Sequence, residues 1–243
     1  MFQRPHHQRI AHVLQALDAE LLKAHGCLFG GGTCIALRYG EYRESVDIDF
    51  LVSDTNGYRE LRQRLTGQQG IQAIVRPGAM PLETTRDIRA DQYGLRTVVR
   101  MDHMDIKFEI VREARIAFDA PGKDDDVCGI ATLTPVDLAA SKLLANADRL
   151  GDDGSFNRDV IDLAMMNLRL PVLRKALAKA EQAYGASVAR DLAKAIARIQ
   201  DRHGWLERCM QVMSMTLPQA VVWQKIRSLR RLVPTPDSAE GGS

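Results

Sequence analysis

The chain has 243 residues, 45% of them hydrophobic and 26% charged, with a formal net charge of +2. That length supports one sizeable or two small domains around a buried core, and the near balance of charge excludes a molecule-wide polyanion-binding signature. No apolar run approaches the roughly 18 residues that span a bilayer. The N-terminus lacks the basic start and apolar stretch of a secretory signal, so a cytoplasmic protein with no membrane partner is expected. Cys27, Cys34, Cys128 and Cys209 show no CxxC spacing and lie mostly in or beside apolar segments, which favours reduced thiols over disulfides or zinc ligands.

In chain order, Ile10, Val13, Leu14, Leu17, Leu21 and Leu22 recur at helical spacing and predict a helix over 6–25 that stops at Gly26. Leu28-Phe29 reads as a short strand entering the glycine turn Gly30–Gly32, with a helix over 33–39 beyond it. Val46, Ile48, Phe50 and Val52 alternate with polar positions and predict a strand over 45–52. A helix over 57–66, capped by Asp54 or Asn56, and a strand over 71–76 follow. From Asp87 to Phe118 the alternation reads as a β-meander broken at Tyr93-Gly94 and near His103, and Val127–Leu133 closes the strand-rich part. Thr134-Pro135 then opens a helix. The remaining chain is helical in pattern, with breaks at Gly151–Gly154, Pro171, Gly185, Gly204 and Pro218. The expected organisation is α+β: a mixed sheet with flanking helices over 1–133, a helical bundle over 134–233 and a disordered tail over 234–243.

Within the first half, thirteen residues separate Thr33 from Asp47-Ile48-Asp49. Strand side chains alternate faces, so Asp47 and Asp49 are expected to point the same way. Two adjacent carboxylates repel each other unless a cation lies between them. An all-oxygen pair suits Mg²⁺, which binds through one or two carboxylates together with substrate phosphates. The glycine turn feeding a helix N-terminus is where a phosphate tail would be held. Either feature alone has a bland reading, a chance DxD or a tight turn.

Taken together and in order, Gly31-Gly32-Thr33, a short helix, Arg43-x-Ser45 and Asp47-x-Asp49 resemble the nucleotidyltransferase superfamily, and within it the AbiEii/AbiGii toxin family. The resemblance covers about residues 10–165. It implies transfer of a nucleotide from an NTP with release of pyrophosphate, using Mg²⁺ or alternatively Mn²⁺, by the toxin of a toxin–antitoxin or abortive-infection system. It further implies an RNA acceptor such as a tRNA end, and a cognate antitoxin encoded elsewhere. By the same resemblance Asp47, Asp49 and Glu109 are metal ligands, with Asp105 competing for the third place. Gly31, Gly32, Thr33, Arg43, Ser45 and Lys107 would contact the nucleotide. An additional glycine, Gly30, precedes the motif, and Phe29 stands where relatives often carry a basic residue.

The helical half continues the resemblance. Asp137 and Lys142 match an Asp-x4-Lys element, and Arg158-Asp159-Val160-Ile161-Asp162-Leu163 matches Arg-Asp-x-x-Asp-Leu. Lys142 lies amid Leu138, Ala139, Leu143 and Leu144, so it either snorkels to water or reaches a phosphate; a triphosphate contact is expected, with Asp159 in a catalytic role. Asp159 and Asp162, three apart on one helix, have binding Lys142, binding the ribose, capping, or an ion pair with Arg158 as their alternatives. Between Arg169 and Arg231, 13 Lys and Arg stand against 4 Asp and Glu, a net +9 in a chain whose total is +2. That excess suits a nucleic-acid acceptor, although solvated helix faces explain it equally. The rival functions are nucleotide transfer to a small molecule such as an aminoglycoside, and a non-catalytic nucleotide- or RNA-binding module.

Overall fold

The computed structural model describes residues 2–233, which divide after Thr134 into two compact units. The expected tail over 234–243 lies outside the described residues.

The first unit is built on a five-stranded mixed sheet. Its strands are β1 (Leu28–Gly30), β2 (Ile48–Val52), β3 (Glu83–Ala90), β4 (Gly94–Met101) and β5 (Met104–Arg112), in spatial order β1-β2-β5-β4-β3. β2 and β5 run parallel and the other neighbours antiparallel. A two-residue pair, β6 (Asp126–Val127) with β7 (Ile130–Ala131), replaces the single closing strand expected there. The helices are α1 (Pro5–Ala16), α2 (Ala19–Ala24), α3 (Gly31–Arg38) and α4 (Thr55–Leu65).

Alternation decides which sheet face is dry. Ile48, Phe50 and Val52, Ile106, Phe108 and Ile110, and Leu95 and Val99 are buried, whereas Arg100, Asp105 and Lys107 are exposed. Phe29, Phe50 and Phe108 run across three strands with ring centroids 5.6 Å apart at each step. Such tilted contacts suit the aromatic quadrupole.

Three expectations are corrected here. The single helix over 6–25 is two: Leu17 is extended, Asp18 N donates to Ile74 O, and the Asp18 carboxylate caps α2 through Leu21 N. A half-buried aspartate cap ends one helix and starts another where apolar spacing alone runs on. The strand over 71–76 is instead a 3-10 turn, Gly70–Ile74, followed by one isolated bridge between Leu17 and Val75, in which Asp18 N donates to Ile74 O and Arg76 N to Ala16 O. The Asp-bearing strand begins only at Ile48, so Ser45–Asp47 approach it as irregular chain.

The second unit is helical: α5 (Pro135–Asp148), α6 (Arg158–Met165), α7 (Leu170–Tyr184), α8 (Ser187–Asp201), α9 (Trp205–Val212) and α10 (Gln219–Ser228). Its core gathers Leu138, Leu143, Leu144, Val160, Ile161, Leu192, Ile196 and Val222. Among the described residues no helix is long and apolar enough to cross a membrane.

Candidate active site

The sheet register brings the motif residues of the first unit together. Gly30 pairs with Asp49, Asp49 with Glu109, Glu109 with Arg96, and Arg96 with Arg89, so one lateral row crosses all five strands. Its carboxylate end meets the start of α3, where Gly31 has φ +68°. A Cβ on Gly31 would lie 2.4 Å from Asp49 Oδ2 and 2.8 Å from Asp49 Cβ. Only glycine lets the backbone turn into α3 this close to the carboxylate. No side chain caps α3, so its first N–H groups and dipole face the region where Asp49 stands.

Lys107 lies on the same face as Glu109, two residues away on β5. Its ammonium is 2.8 Å from Glu109 Oε2 and about half exposed. Partial burial alone would pull Lys107 down; the hydrogen bond and charge of Glu109, with the charges of Asp47 and Asp49, outweigh it and hold the ammonium above its ordinary value. Glu109 thus pairs with Lys107 directly, and the charges of Asp47 and Asp49 act on it as well. Glu109 is also 3.3 Å from Arg96 Nε, which spans to Asp91. Asp105, the competing third carboxylate, pairs instead with Arg100 at 2.8 Å.

The loop before β2 is held from α1. Thr33 Oγ1 donates to Ser45 Oγ at 2.8 Å, joining the glycine turn to the Arg-x-Ser element. Ser45 N donates to His7 Nε2 at 3.2 Å, which leaves the proton on Nδ1 to be donated to Glu41 Oε1 at 2.7 Å. His6 Nε2 lies 3.0 Å from Val46 O. His7 is fully buried, and burial lowers its pKa more than Glu41 raises it. Burial by itself raises Glu41, yet Gln3 N, His7 and Arg4 N together hold it below its ordinary value. Arg43, expected at the nucleotide, is buried and donates to the Glu44 carbonyl at 2.8 Å. Nothing in the sequence pairs His6 or His7 at metal-ligand spacing. Their pairing with residues 38 to 40 positions away has no local signature.

In the second unit Lys142 Nζ sits 3.0 Å from Asp159 Oδ1 and 2.7 Å from Asp162 Oδ2, and Arg149 Nη1 lies 2.9 Å from Asp159 Oδ2. Lys142, Asp159 and Asp162 are all buried. Asp137 is buried as well and holds Lys179. Lys142 of one resemblance element and Asp159 and Asp162 of the other thus form one buried cluster, to which the exposed Arg149 adds a second cation.

A family model described as the nucleotidyl transferase AbiEii toxin of type IV toxin–antitoxin systems matches residues 12–233. The chain belongs to this family. It is a toxin-family nucleotidyltransferase. Among solved structures, JHP933 from Helicobacter pylori is similar at 16% identity and a TM-score of 0.53, covering 96% of this chain and 93% of that one. A presumed nucleotidyltransferase from H. pylori is 16% identical with a TM-score of 0.49, covering 93% and 94%. No curated protein matches. The likeness to JHP933 supports the AbiEii-type fold of an α+β sheet with helices around it.

Proposed function

We propose that this AbiEii-family chain transfers a nucleotide from an NTP to a hydroxyl of an RNA acceptor, such as a tRNA end, and that a cognate antitoxin opposes it. The observation that carries the reading is the pairing of Asp49 with Glu109 across β2 and β5, with Lys107 on Glu109 and Gly31 packed against Asp49.

The donor set fits Mg²⁺ held by a carboxylate pair and the substrate's own phosphates. Among the described residues no group of three or more His, Cys, Asp or Glu gathers as a metal site of protein ligands alone. Glu109 is engaged by Lys107 and Arg96. The metal set in this reading is therefore Asp47 and Asp49, narrower than the three carboxylates expected, and Glu109 orients the two cations. When bound, the ion would neutralise the triphosphate and act as a Lewis acid. Lys107 meets the triphosphate's remaining charge, and the free N–H groups of Gly31, Gly32 and Thr33 at the α3 N-terminus cradle phosphate oxygens. Thr33 and Ser45 hold that turn against the DxD segment. In the transfer the acceptor oxygen bonds to the α-phosphorus, the bond to the β-phosphate oxygen breaks, and pyrophosphate and a proton are released.

Lys142 and Asp159 enter this reading through their mutual pairing: with Asp162 they fix α6 against α5. The +9 excess between Arg169 and Arg231 supports an anionic acceptor. The test is to incubate the purified chain with each α-labelled NTP, Mg²⁺ and total tRNA. Label should enter RNA. Label entering an aminoglycoside instead would move the reading to the small-molecule rival, and binding without transfer to the non-catalytic one.

A further inference from the structure

We infer that the outer face of the β3–β4 hairpin, built by Arg86, Arg89 and Arg96, is the docking strip for the single-stranded end of the RNA acceptor. This rests on the transferase reading above and locates where its acceptor is gripped.

The first observation is the row itself. It starts at Asp49 and Glu109, where the nucleotide is placed, and continues through Arg96 to Arg89. Adjacent strands are about 4.8 Å apart, so the row carries an anion roughly 14 Å from β2 to β3. Charge changes sign along it, from carboxylates to guanidiniums.

The second observation is how two arginines reach this face. Arg86 and Arg89 are three residues apart and would point to opposite faces of a regular strand. The β3–β4 pairing shifts register between them, so Arg86 pairs with Val98 and Arg89 with Arg96, two positions that share the outer face. A bulge of this kind re-aims a side chain at the expense of a ladder bond. Both arginines are exposed, and among the described residues neither has a carboxylate within 4.0 Å. Arg96 is held by Glu109 and Asp91, as Lys179 is by Asp137 and Arg198 and Arg202 are by Asp153, so Arg86 and Arg89 supply the strip's charge for an anion.

The third is Tyr93 at the tip of the same hairpin. It is 64% exposed, and its turn is fixed by Asp91 Oδ1, which accepts from Tyr93 N at 2.7 Å and Gly94 N at 3.0 Å. An exposed ring at the tip of the hairpin that carries these arginines offers a base a stacking surface, and such surfaces characterise single-stranded nucleic-acid binding. Planar guanidiniums favour phosphate over the hydrated charge of lysine. A protein partner would need a buried apolar anchor at the centre of its interface, and the strip's centre is arginine.

The probe is a fluorescein-labelled mixed-sequence RNA oligonucleotide, followed by anisotropy from 50 to 200 mM salt, with Mg–NTP binding measured separately by calorimetry. Arg86→Ser with Arg89→Ser should weaken RNA binding about tenfold at low salt and flatten the log–log salt slope by about 1.4, two phosphate contacts at roughly 0.7 each. Mg–NTP binding should not change. Arg86→Lys with Arg89→Lys should keep the slope, which separates lost charge from a misfolded edge strand. Tyr93→Ala should weaken binding roughly tenfold at an unchanged slope, as lost stacking would. If Arg174→Ser with Lys175→Ser on α7 flattens the slope while the β3 pair does not, the strip is wrong and the RNA reading stands. If the wild-type chain binds Mg–NTP but shows no salt-dependent RNA affinity, the RNA acceptor itself falls.

Discussion

Replacing Gly31 with alanine tests whether the glycine turn exists to let the backbone pass the Asp49 carboxylate. Two costs arise. The left-handed backbone at φ +68° penalises any Cβ by about 1–2 kcal/mol. The new methyl would also stand 2.4 Å from Asp49 Oδ2, 2.8 Å from its Cβ and 3.0 Å from its Cγ. Rotating the side chain can relieve the Oδ2 and Cγ contacts but not the 2.8 Å one, because Asp49 Cβ is fixed by strand pairing on both sides. Overpacking of this kind costs about 1–3 kcal/mol more. Gly78 is the control: its φ is +79° but no atom lies within 4 Å of an added Cβ, so Gly78→Ala carries the conformational cost alone. The thermal transition should fall by roughly 2–4 °C per kcal/mol, which places Gly31→Ala about 4–20 °C below wild type and clearly below Gly78→Ala. Displacing Asp49 should also weaken Mg–NTP binding, whereas Gly78→Ala should leave it intact. In a double-mutant cycle, adding Asp49→Ala to Gly31→Ala should recover about 1 kcal/mol of the collision as coupling energy. Equal melting temperatures for the two glycine variants, with full Mg–NTP affinity in Gly31→Ala, would refute the argument.

Asp47→Asn and Asp49→Asn should each abolish nucleotide transfer while melting within a few degrees of wild type, since one lost ligand removes several kcal/mol of charge stabilisation; full turnover in either variant ends the metal-pair assignment. Lys142→Ala removes a buried ammonium held between Asp159 and Asp162, so it should destabilise by about 3–5 kcal/mol in urea unfolding; an unchanged midpoint with lost NTP affinity would restore the phosphate contact expected from sequence. His7 has its folded pKa below the unfolded 6.5, so the unfolded chain takes up the proton first and stability is lost as pH falls from about 6.5 through the folded value. Glu41, lowered from 4.5, adds a second loss below that pH. The melting temperature of wild type should therefore fall between pH 7 and pH 5 and that of His7→Gln should fall less; parallel curves would show that His7 is not the group responsible.

The order of the motif was legible because its signals are local. A glycine turn, a short helix and alternation around Ile48 and Phe50 are properties of adjacent residues, and they set the α+β character without reference to distant chain. Burial of alternating β-branched and aromatic residues likewise marked the dry face of β5, leaving Lys107 and Glu109 on the other. Pairing across the fold was not legible. Asp47 sits before its strand because His6 and His7 of α1 hold Ser45 and Val46, and no periodicity in residues 45–52 carries that restraint. The helical spacing placed Lys142 among leucines and left water and phosphate as its alternatives. Its counter-ions lie 17 and 20 positions away, and their approach depends on how α5 meets α6. Arg86 and Arg89 share a face only through a register shift with β4, which is a property of two strands together. Backbone preference and hydrophobic period act over a few residues, so sequence determines them. Desolvation and ion pairing depend on what fills the space around a side chain, and only the tertiary structure decides that.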